Sequence, residues 1–411
     1  MIKRPEILAP AGDMEKLEYA IAYGADAVYL AGSQYGMRTA SGNFDDQSLA
    51  LAIDYAKKRG VRTYITINSM LRNNQIDQLP EFLELLEQLK PDAAIVADLG
   101  VLSLVKKHAP SLDIHISTQT SIVNHQAANA WHGLGAKRVV LARELTMDEI
   151  AEIRAKTPKE LEIECFVHGA MCVSYSGRCL ISNYMTGRDA NRGNCVQACR
   201  FNYAVVEEKR PGEYYNILQD ENGTYLFNSK DLNMIEHVPQ LIRAGIDSFK
   251  IEGRVKAAYY AACITGAYAT AVDEYFKNPT AYNTRGYWYD EVFKVSHREY
   301  GTGFYFDKEG PGQYYTDSMY IRDYNISAVV LSDGQNEALA SLKNRFGVGD
   351  TLELLMPGKP PVEFVCGKII SKGEEIAEAI HPQMEITVPL PCPAPKYSIL
   401  RKAAEPATKG D

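Results

Sequence analysis

The sequence predicts an α/β protein: a TIM-like (β/α)8 barrel with a cysteine-bearing insertion after its seventh strand, followed by a small C-terminal β domain. Three observations predict it. Through the first 270 residues, short β-branched apolar runs alternate with longer amphipathic ones, the pattern of repeated βα units around a parallel sheet. Eight such runs can be counted. From about Asn325 the texture changes to short alternating segments broken by turn signals such as Gly347-Val348-Gly349-Asp350 and Pro357-Gly358-Lys359-Pro360-Pro361.

In chain order the expected strands are Glu6–Gly12, Asp26–Gly32, Arg62–Asn68, Asp92–Asp98, Asp113–Gln119, Arg138–Glu144, Leu161–Gly169 and Ser248–Gly253. Most are nearly continuously apolar in the middle, as in Ala93-Ala94-Ile95-Val96 and Val139-Val140-Leu141, because parallel strands are buried on both faces. Between them, Asp77–Gln88 and Met147–Ala155 carry apolar residues at helical spacing, Leu83 and Leu86 among them. Eight strands suit a closed barrel better than the alternative, an open doubly wound sheet. About 75 residues then separate Gly169 from Ser248, and a long excursion at the carboxyl end of a barrel strand is where active sites are built. The barrel is therefore assigned to residues 1–280, with the insertion at about 170–230. A connecting segment rich in Tyr and Gly spans 281–324, and a small β-barrel or sandwich occupies 325–411. Its strands include Ser327–Leu331, Asp350–Leu354 and Met384–Val388.

Composition sets outer bounds. With 411 residues, 46% hydrophobic and 23% charged, the chain is an ordinary globular protein large enough for a barrel of roughly 250 residues and a smaller unit. The net charge of −8 excludes a generally basic nucleic-acid-coating protein but leaves room for a local basic patch. No apolar run suits a secretion signal or approaches the ~20 residues that span a bilayer, so a cytoplasmic protein with no membrane contact is expected. In that reducing compartment, eight cysteines read as core residues or ligands rather than four disulfides.

Cys172, Cys179, Cys195 and Cys199 fall within the insertion with the spacing C-x6-C-x15-C-x3-C. Both iron–sulfur clusters and zinc accept four thiolates. Structural zinc favours short paired knuckles, which only Cys195 and Cys199 approximate, so zinc is the weaker alternative. Arg178, Arg188, Arg192 and Arg200 stand against a lone Asp189 and would offset the negative charge of a thiolate-ligated cluster. Unligated thiols are the third reading. Cys165, Cys263, Cys366 and Cys392 read as small buried hydrophobes.

At these residues the sequence resembles the peptidase U32 family. The resemblance is carried by Glu164-Cys165-Phe166-Val167-His168-Gly169-Ala170-Met171-Cys172, Tyr175-Ser176-Gly177-Arg178-Cys179, and Asn191-Arg192-Gly193 leading to Cys195 and Cys199-Arg200. Leu8-Ala9-Pro10-Ala11-Gly12, Ser117-Thr118-Gln119, Leu141-Ala142-Arg143-Glu144-Leu145 and Lys250-Ile251-Glu252-Gly253-Arg254 extend it over most of the chain. It implies a barrel with a 4Fe-4S cluster on Cys172, Cys179, Cys195 and Cys199. Some members act as oxygen-independent hydroxylases of the ubiquinone pathway, and others hydroxylate RNA. The length and domain plan are similar to the branch that forms 5-hydroxyuridine at the tRNA wobble position with prephenate as co-substrate, which implies tRNA as partner.

Residues at strand carboxyl ends converge on one barrel mouth, making Asn68, Asp98, Gln119, Arg143, Glu144, His168, Glu252 and Arg254 candidates for the site. A planar guanidinium at Arg254 suits a carboxylate bidentately, and prephenate has two. His168 is a candidate proton donor or a support for the cysteine ligands, with a structural hydrogen bond at the strand end as the plain alternative, and Glu252 a base or an orienting partner for Arg254. Pairing of Arg143 and Glu144 with barrel neighbours is the plain structural alternative. Arg178, Arg188 and Arg192, interleaved with Tyr175, Tyr184 and Tyr203, suit phosphate and exposed bases; the bland alternative is that they only balance a cluster's charge. Two competing functions remain. A peptidase lacks His-Glu-x-x-His and Gly-x-Ser-x-Gly, and a Cys–His pair through His168 lacks an orienting partner. The other is an RNA-binding protein with a purely structural metal site.

Overall fold

In the computed structural model, residues 3–37, 42–172, 174–200, 204–206, 214–216, 230–306 and 320–404 are described. All eight expected barrel strands form: Glu6–Pro10, Ala27–Leu30, Arg62–Ile67, Ala93–Val96, Asp113–Ile116, Arg138–Val140, Glu162–Ala170 and Ser248–Ile251. Each pairs in parallel with the next, and the eighth pairs with both the seventh and the first. That double pairing closes the sheet and rules out the open doubly wound alternative. Helices cover the outside because each presents an apolar stripe to the strands; Leu79–Leu89 buries Leu79, Leu83 and Leu86. Their starts are written in the sequence. Asp13, Asp45, Asp98 and Asn124 each accept a backbone N–H of the following first turn. Thr146 and Glu149 form a capping box ahead of Met147–Ala155.

The barrel interior is unusually polar at its amino-terminal end. Arg138, fully buried, donates to Glu6 at 2.6 Å and Glu164 at 2.9 Å. Tyr64 donates to Glu6 at 2.6 Å, and Lys250 to Glu164 at 2.8 Å. Burial would raise the Glu164 carboxyl, but Lys250 and Arg138 beside it hold it below the usual carboxylate range. Leu8, Ala27, Tyr29, Tyr64, Ala93 and Ile95 supply the apolar part of the interior.

The seventh and eighth strands fall out of simple register near the mouth. Lys250 pairs with Phe166 but Ile251 pairs with His168, so one extra residue bulges from the seventh strand. Gly169 follows with φ 110°, where a Cβ would stand 2.5 Å from the Glu252 carbonyl oxygen; only glycine fits that crossing. Asp231–Asn233 then pairs antiparallel with the top of the seventh strand and in parallel with Tyr300–Gly301.

The carboxyl-terminal part is an eight-stranded antiparallel sheet with its own apolar core around Leu342, Phe346, Leu352, Leu354, Ile386 and Leu400. It docks on the barrel through buried charge. Arg401, fully buried, makes bonds of 2.7 and 2.8 Å to Glu291 and a 2.7 Å bond to Glu353. Tyr23 of the barrel donates to the Leu355 and Tyr397 carbonyls. Among the described residues no helix is long and apolar enough to cross a membrane.

Candidate functional site at the barrel mouth

The carboxyl ends of the strands open into a cavity of about 160 Å³ whose outer wall is the cysteine-bearing insertion. Cys172, Cys179, Cys195 and Cys199 all line it, and all are half-buried or exposed. Three of the other four divide from them physically, while Cys392 is half-buried. Burial raises the Cys165 thiol and pushes Cys263 up to about 12, while Cys366 is also raised by burial, which leaves them inert core groups.

Local backbone geometry aims the cysteine wall. The helix Ile181–Thr186 is tied to the loop through Ser182, whose Oγ accepts the Val196 N–H at 3.0 Å and lies 3.8 Å from Cys195 Sγ. Gln197 takes φ 59° and its N–H donates to Cys195 Sγ at 3.3 Å; donors to sulfur of this kind tune a thiolate-held centre. Gly177, with φ 75°, lets the loop lie against the Gln119 side chain, where a Cβ would collide with the amide oxygen. Four cysteines from one excursion line the same cavity, and thiolate is the donor type that iron–sulfur clusters use. No three His, Cys, Asp or Glu side chains among the described residues are gathered closely enough to hold a single metal ion.

The inner wall is cationic and oriented. Arg254, 3% exposed, donates to Thr66 Oγ1 at 3.1 Å. Lys250 reaches the cavity from its pair with Glu164, its ammonium 4.7 Å from the centre of the Tyr29 ring. Arg143 lies over Phe166 at 3.8 Å and donates through Nη1 to the Ala170 carbonyl at 2.7 Å. Its Nε is buried with no hydrogen-bond partner. Asn68 is fixed between the Met37 N–H and Ser117 Oγ. Gln119 and Glu252 complete the expected residues that line the cavity.

Others of the expected set lie elsewhere. His168 does not line the cavity: the bulge turns it outward with Ile251, and it is buried between Tyr300, 3.2 Å from Nε2, and Tyr268, 3.4 Å from Nδ1. Burial there pulls its pKa down to about 3, so it is a neutral packing group rather than a proton donor to the site. Glu144 also faces away from the cavity, its carboxyl raised by burial. Asp98 serves as a helix cap. Arg192 binds Gln75 at 2.8 Å and approaches Asp189 at 3.5 Å. Arg178 and Arg188 are exposed outside the cavity, as are Tyr175 and Tyr184, while Tyr203 lies outside the described residues.

Lys250, Tyr29, Thr66 and Ser117 were not singled out among the expected site residues, yet all line the cavity. The signal for Lys250 was available: in a strand, residues two apart share a face, so Lys250 shares its face with Glu252 in the expected strand Ser248–Gly253.

These features define a (β/α)8 barrel with a thiol-lined, cationic mouth. The family model for peptidase family U32 matches residues 12–314, and that for the peptidase family U32 C-terminal domain matches 322–401; the chain belongs to the peptidase U32 family. Among its relatives, the tRNA hydroxylation protein P1 of Bacillus subtilis (strain 168) is 37% identical, covering 92% of this chain and 90% of that protein. The tRNA hydroxylation protein P of Escherichia coli (strain K12) is 35% identical over 95% of this chain and 94% of its own. An uncharacterized protease of Methanocaldococcus jannaschii is 40% identical over 74% of each chain.

Proposed function

We propose that this protein is a tRNA-modifying enzyme, hydroxylating carbon five of the wobble uridine with prephenate as co-substrate and a 4Fe-4S cluster on Cys172, Cys179, Cys195 and Cys199. The observation that carries it is the cavity lined together by these four cysteines and by Arg143, Lys250 and Arg254. The names of relatives that match over most of their length support RNA hydroxylation as the activity, and a tRNA substrate is consistent with a cytoplasmic protein.

Cys172, Cys179, Cys195 and Cys199 would hold the cluster, which would supply redox chemistry at the mouth. The chain's own residues bind and orient. Arg254 and Arg143 suit the two carboxylates of prephenate, with the free Arg143 Nε as a donor awaiting an acceptor. Glu252 and Lys250 are the titratable groups on the same wall, placed to hold or pass a proton. Asn68 and Gln119 are amides suited to the edge of a pyrimidine. A peptidase is disfavoured because no histidine lines the cavity among the described residues, leaving a cysteine nucleophile without its base.

Nucleoside analysis of tRNA from a strain lacking the gene and any paralogue tests the substrate: 5-hydroxyuridine-derived nucleosides disappear, and their persistence would defeat the assignment. Anaerobic purification with iron and sulfide assay tests the cluster; a colourless zinc protein would refute it. With Arg254→Lys, product at low prephenate falls, and undiminished formation removes Arg254 from co-substrate binding.

A further inference from the structure

Four of the fifteen exposed large apolar side chains among the described residues fall between positions 175 and 185, beside the cysteines: Tyr175, Leu180, Tyr184 and Met185. The helix Ile181–Thr186 explains how they come to be exposed. Ile181 and Ser182 line the cavity, and Ser182 is held to the cysteine loop by the Val196 N–H. With that face committed, Leu180 and Tyr184, one turn apart and joined by the Tyr184 N–H to Leu180 carbonyl bond, stand outward. Tyr184 is 92% exposed and Leu180 67%.

A tyrosine so exposed contributes little to folding, and leaving its ring in water forgoes the area it would otherwise bury. Its surroundings are cationic. Arg178 precedes the helix and Arg188 follows its Gly187 cap, both exposed and with no ion pair among the described residues. The one acid of the segment, Asp189, is already engaged by Asn183 at 2.6 Å and lies near Arg72 and Arg192. An exposed aromatic ring on a segment that carries two exposed guanidinium groups, neither in an ion pair among the described residues, matches single-stranded nucleic acid, whose bases stack while its phosphates pair.

Building on the RNA-directed reading of the cavity, we propose that Tyr184, backed by Leu180 and flanked by Arg178 and Arg188, is a stacking platform for an unpaired base next to the one being modified. The helix carries cavity wall on one face and platform on the other. A splayed RNA loop can therefore place one base in the cavity while its neighbour lies on Tyr184. The ligand chemistry is an unpaired loop, not a duplex: a paired stem has no free base face to offer.

The test is binding of iron-loaded full-length protein to unmodified tRNA, to its isolated anticodon stem-loop, and to a duplex RNA, read by fluorescence anisotropy. Tyr184→Ala weakens stem-loop binding about 5- to 150-fold, the span of one base–aromatic stack, with iron content unchanged. Tyr184→Trp restores it, and duplex binding does not respond to either change. Arg188→Ala lowers the salt slope of log Kd by about 0.7, one phosphate contact on a single strand. Leu51→Ala, another exposed apolar position at 64%, leaves binding as in wild type. If wild type binds the stem-loop and Tyr184→Ala binds equally well, the platform is overturned and the RNA reading stands; that includes the case where the substitution instead disrupts association with a protein. Equal losses in Tyr184→Ala and Tyr184→Trp would overturn stacking. Iron-loaded wild type that binds no RNA at all overturns both.

Discussion

Arg143→Lys probes the most specific donor in the cavity. The native guanidinium makes one bond, Nη1 to the Ala170 carbonyl at 2.7 Å, lies 3.8 Å over Phe166, and keeps Nε buried without an acceptor. A buried N–H left unpaired costs about 1 to 3 kcal/mol, which an incoming carboxylate recovers by accepting from it. Lysine retains the charge and can keep the Ala170 bond, but it has no second donor fixed in the same plane. The variant therefore loses one charge-assisted bond to the ligand, about 1.5 to 3 kcal/mol, or about 10- to 150-fold in KM for the carboxylate co-substrate. Its stability changes little by comparison: the lost contact with Phe166 costs about 0.5 to 2 kcal/mol and removal of the unpaired N–H works the other way. The assay is product formation on tRNA at varied prephenate, with urea unfolding alongside. A KM within twofold of wild type, at unchanged stability, would refute the carboxylate role of Arg143.

Other consequences follow from the same geometry. Cys172→Ser or Cys195→Ser abolishes iron binding, whereas Cys263→Ser, in the core beside Arg401, retains it; iron per chain after anaerobic purification decides. Gly177→Ala forces a methyl into the Gln119 amide at a φ of 75°, costing about 1 kcal/mol or more locally. It should lower iron occupancy while leaving far-ultraviolet circular dichroism unchanged. Arg401→Met leaves Glu291 and Glu353 in the domain junction with Lys294 as their remaining cation and costs at most about 3 to 5 kcal/mol, read as an earlier urea midpoint. His168 has a folded pKa of about 3 against an ordinary 6.5. Between those values the unfolded chain holds a proton the folded chain does not, so its contribution is complete above pH 6.5 and is lost as pH falls through the window. The loss is up to about 1.4 kcal/mol per pH unit. His168→Phe flattens that slope in urea titrations at pH 7 and 5, and an unchanged slope would contradict the burial argument.

The eight barrel strands were legible because strands buried on both faces leave continuous apolar runs, and Ala93–Val96 sits where its run places it. The convergence of the four cysteines on one cavity matches their shared position after the seventh strand. His168 was misplaced for a specific reason: strand alternation from Glu164 and Phe166 points it inward, and one bulged residue against Lys250–Ile251 reverses that. A bulge has no strong sequence signature beyond Gly169, whose need for φ 110° becomes clear only beside Glu252. Glu144 entered the expected set as a carboxyl-end residue of the expected strand Arg138–Glu144, but the strand ends at Val140 and Glu144 lies in the turn beyond it. Lys250 was passed over because a lysine inside a barrel strand is legible only once its partner Glu164 is placed.

That pairing also distinguishes the three cations of the mouth. Bringing Arg143, Lys250 and Arg254 round one small cavity is costly unless each charge is answered. Lys250 is answered by Glu164, which is itself held by Arg138 and, through it, by Glu6 at the far end of the barrel. The chain of alternating charge makes Lys250 part of a neutralised interior. Arg254 is anchored on Thr66 and is 3% exposed, a donor held in a fixed direction. Arg143 meets a carbonyl and a ring face, neither of which carries a full negative charge, and still has a buried N–H unanswered. An anion entering the cavity therefore gains at Arg143 an N–H that has no other acceptor. For the same reason, neutralising Glu164 would alter the mouth indirectly: it would free Lys250 to compete for the anion that Arg143 otherwise takes.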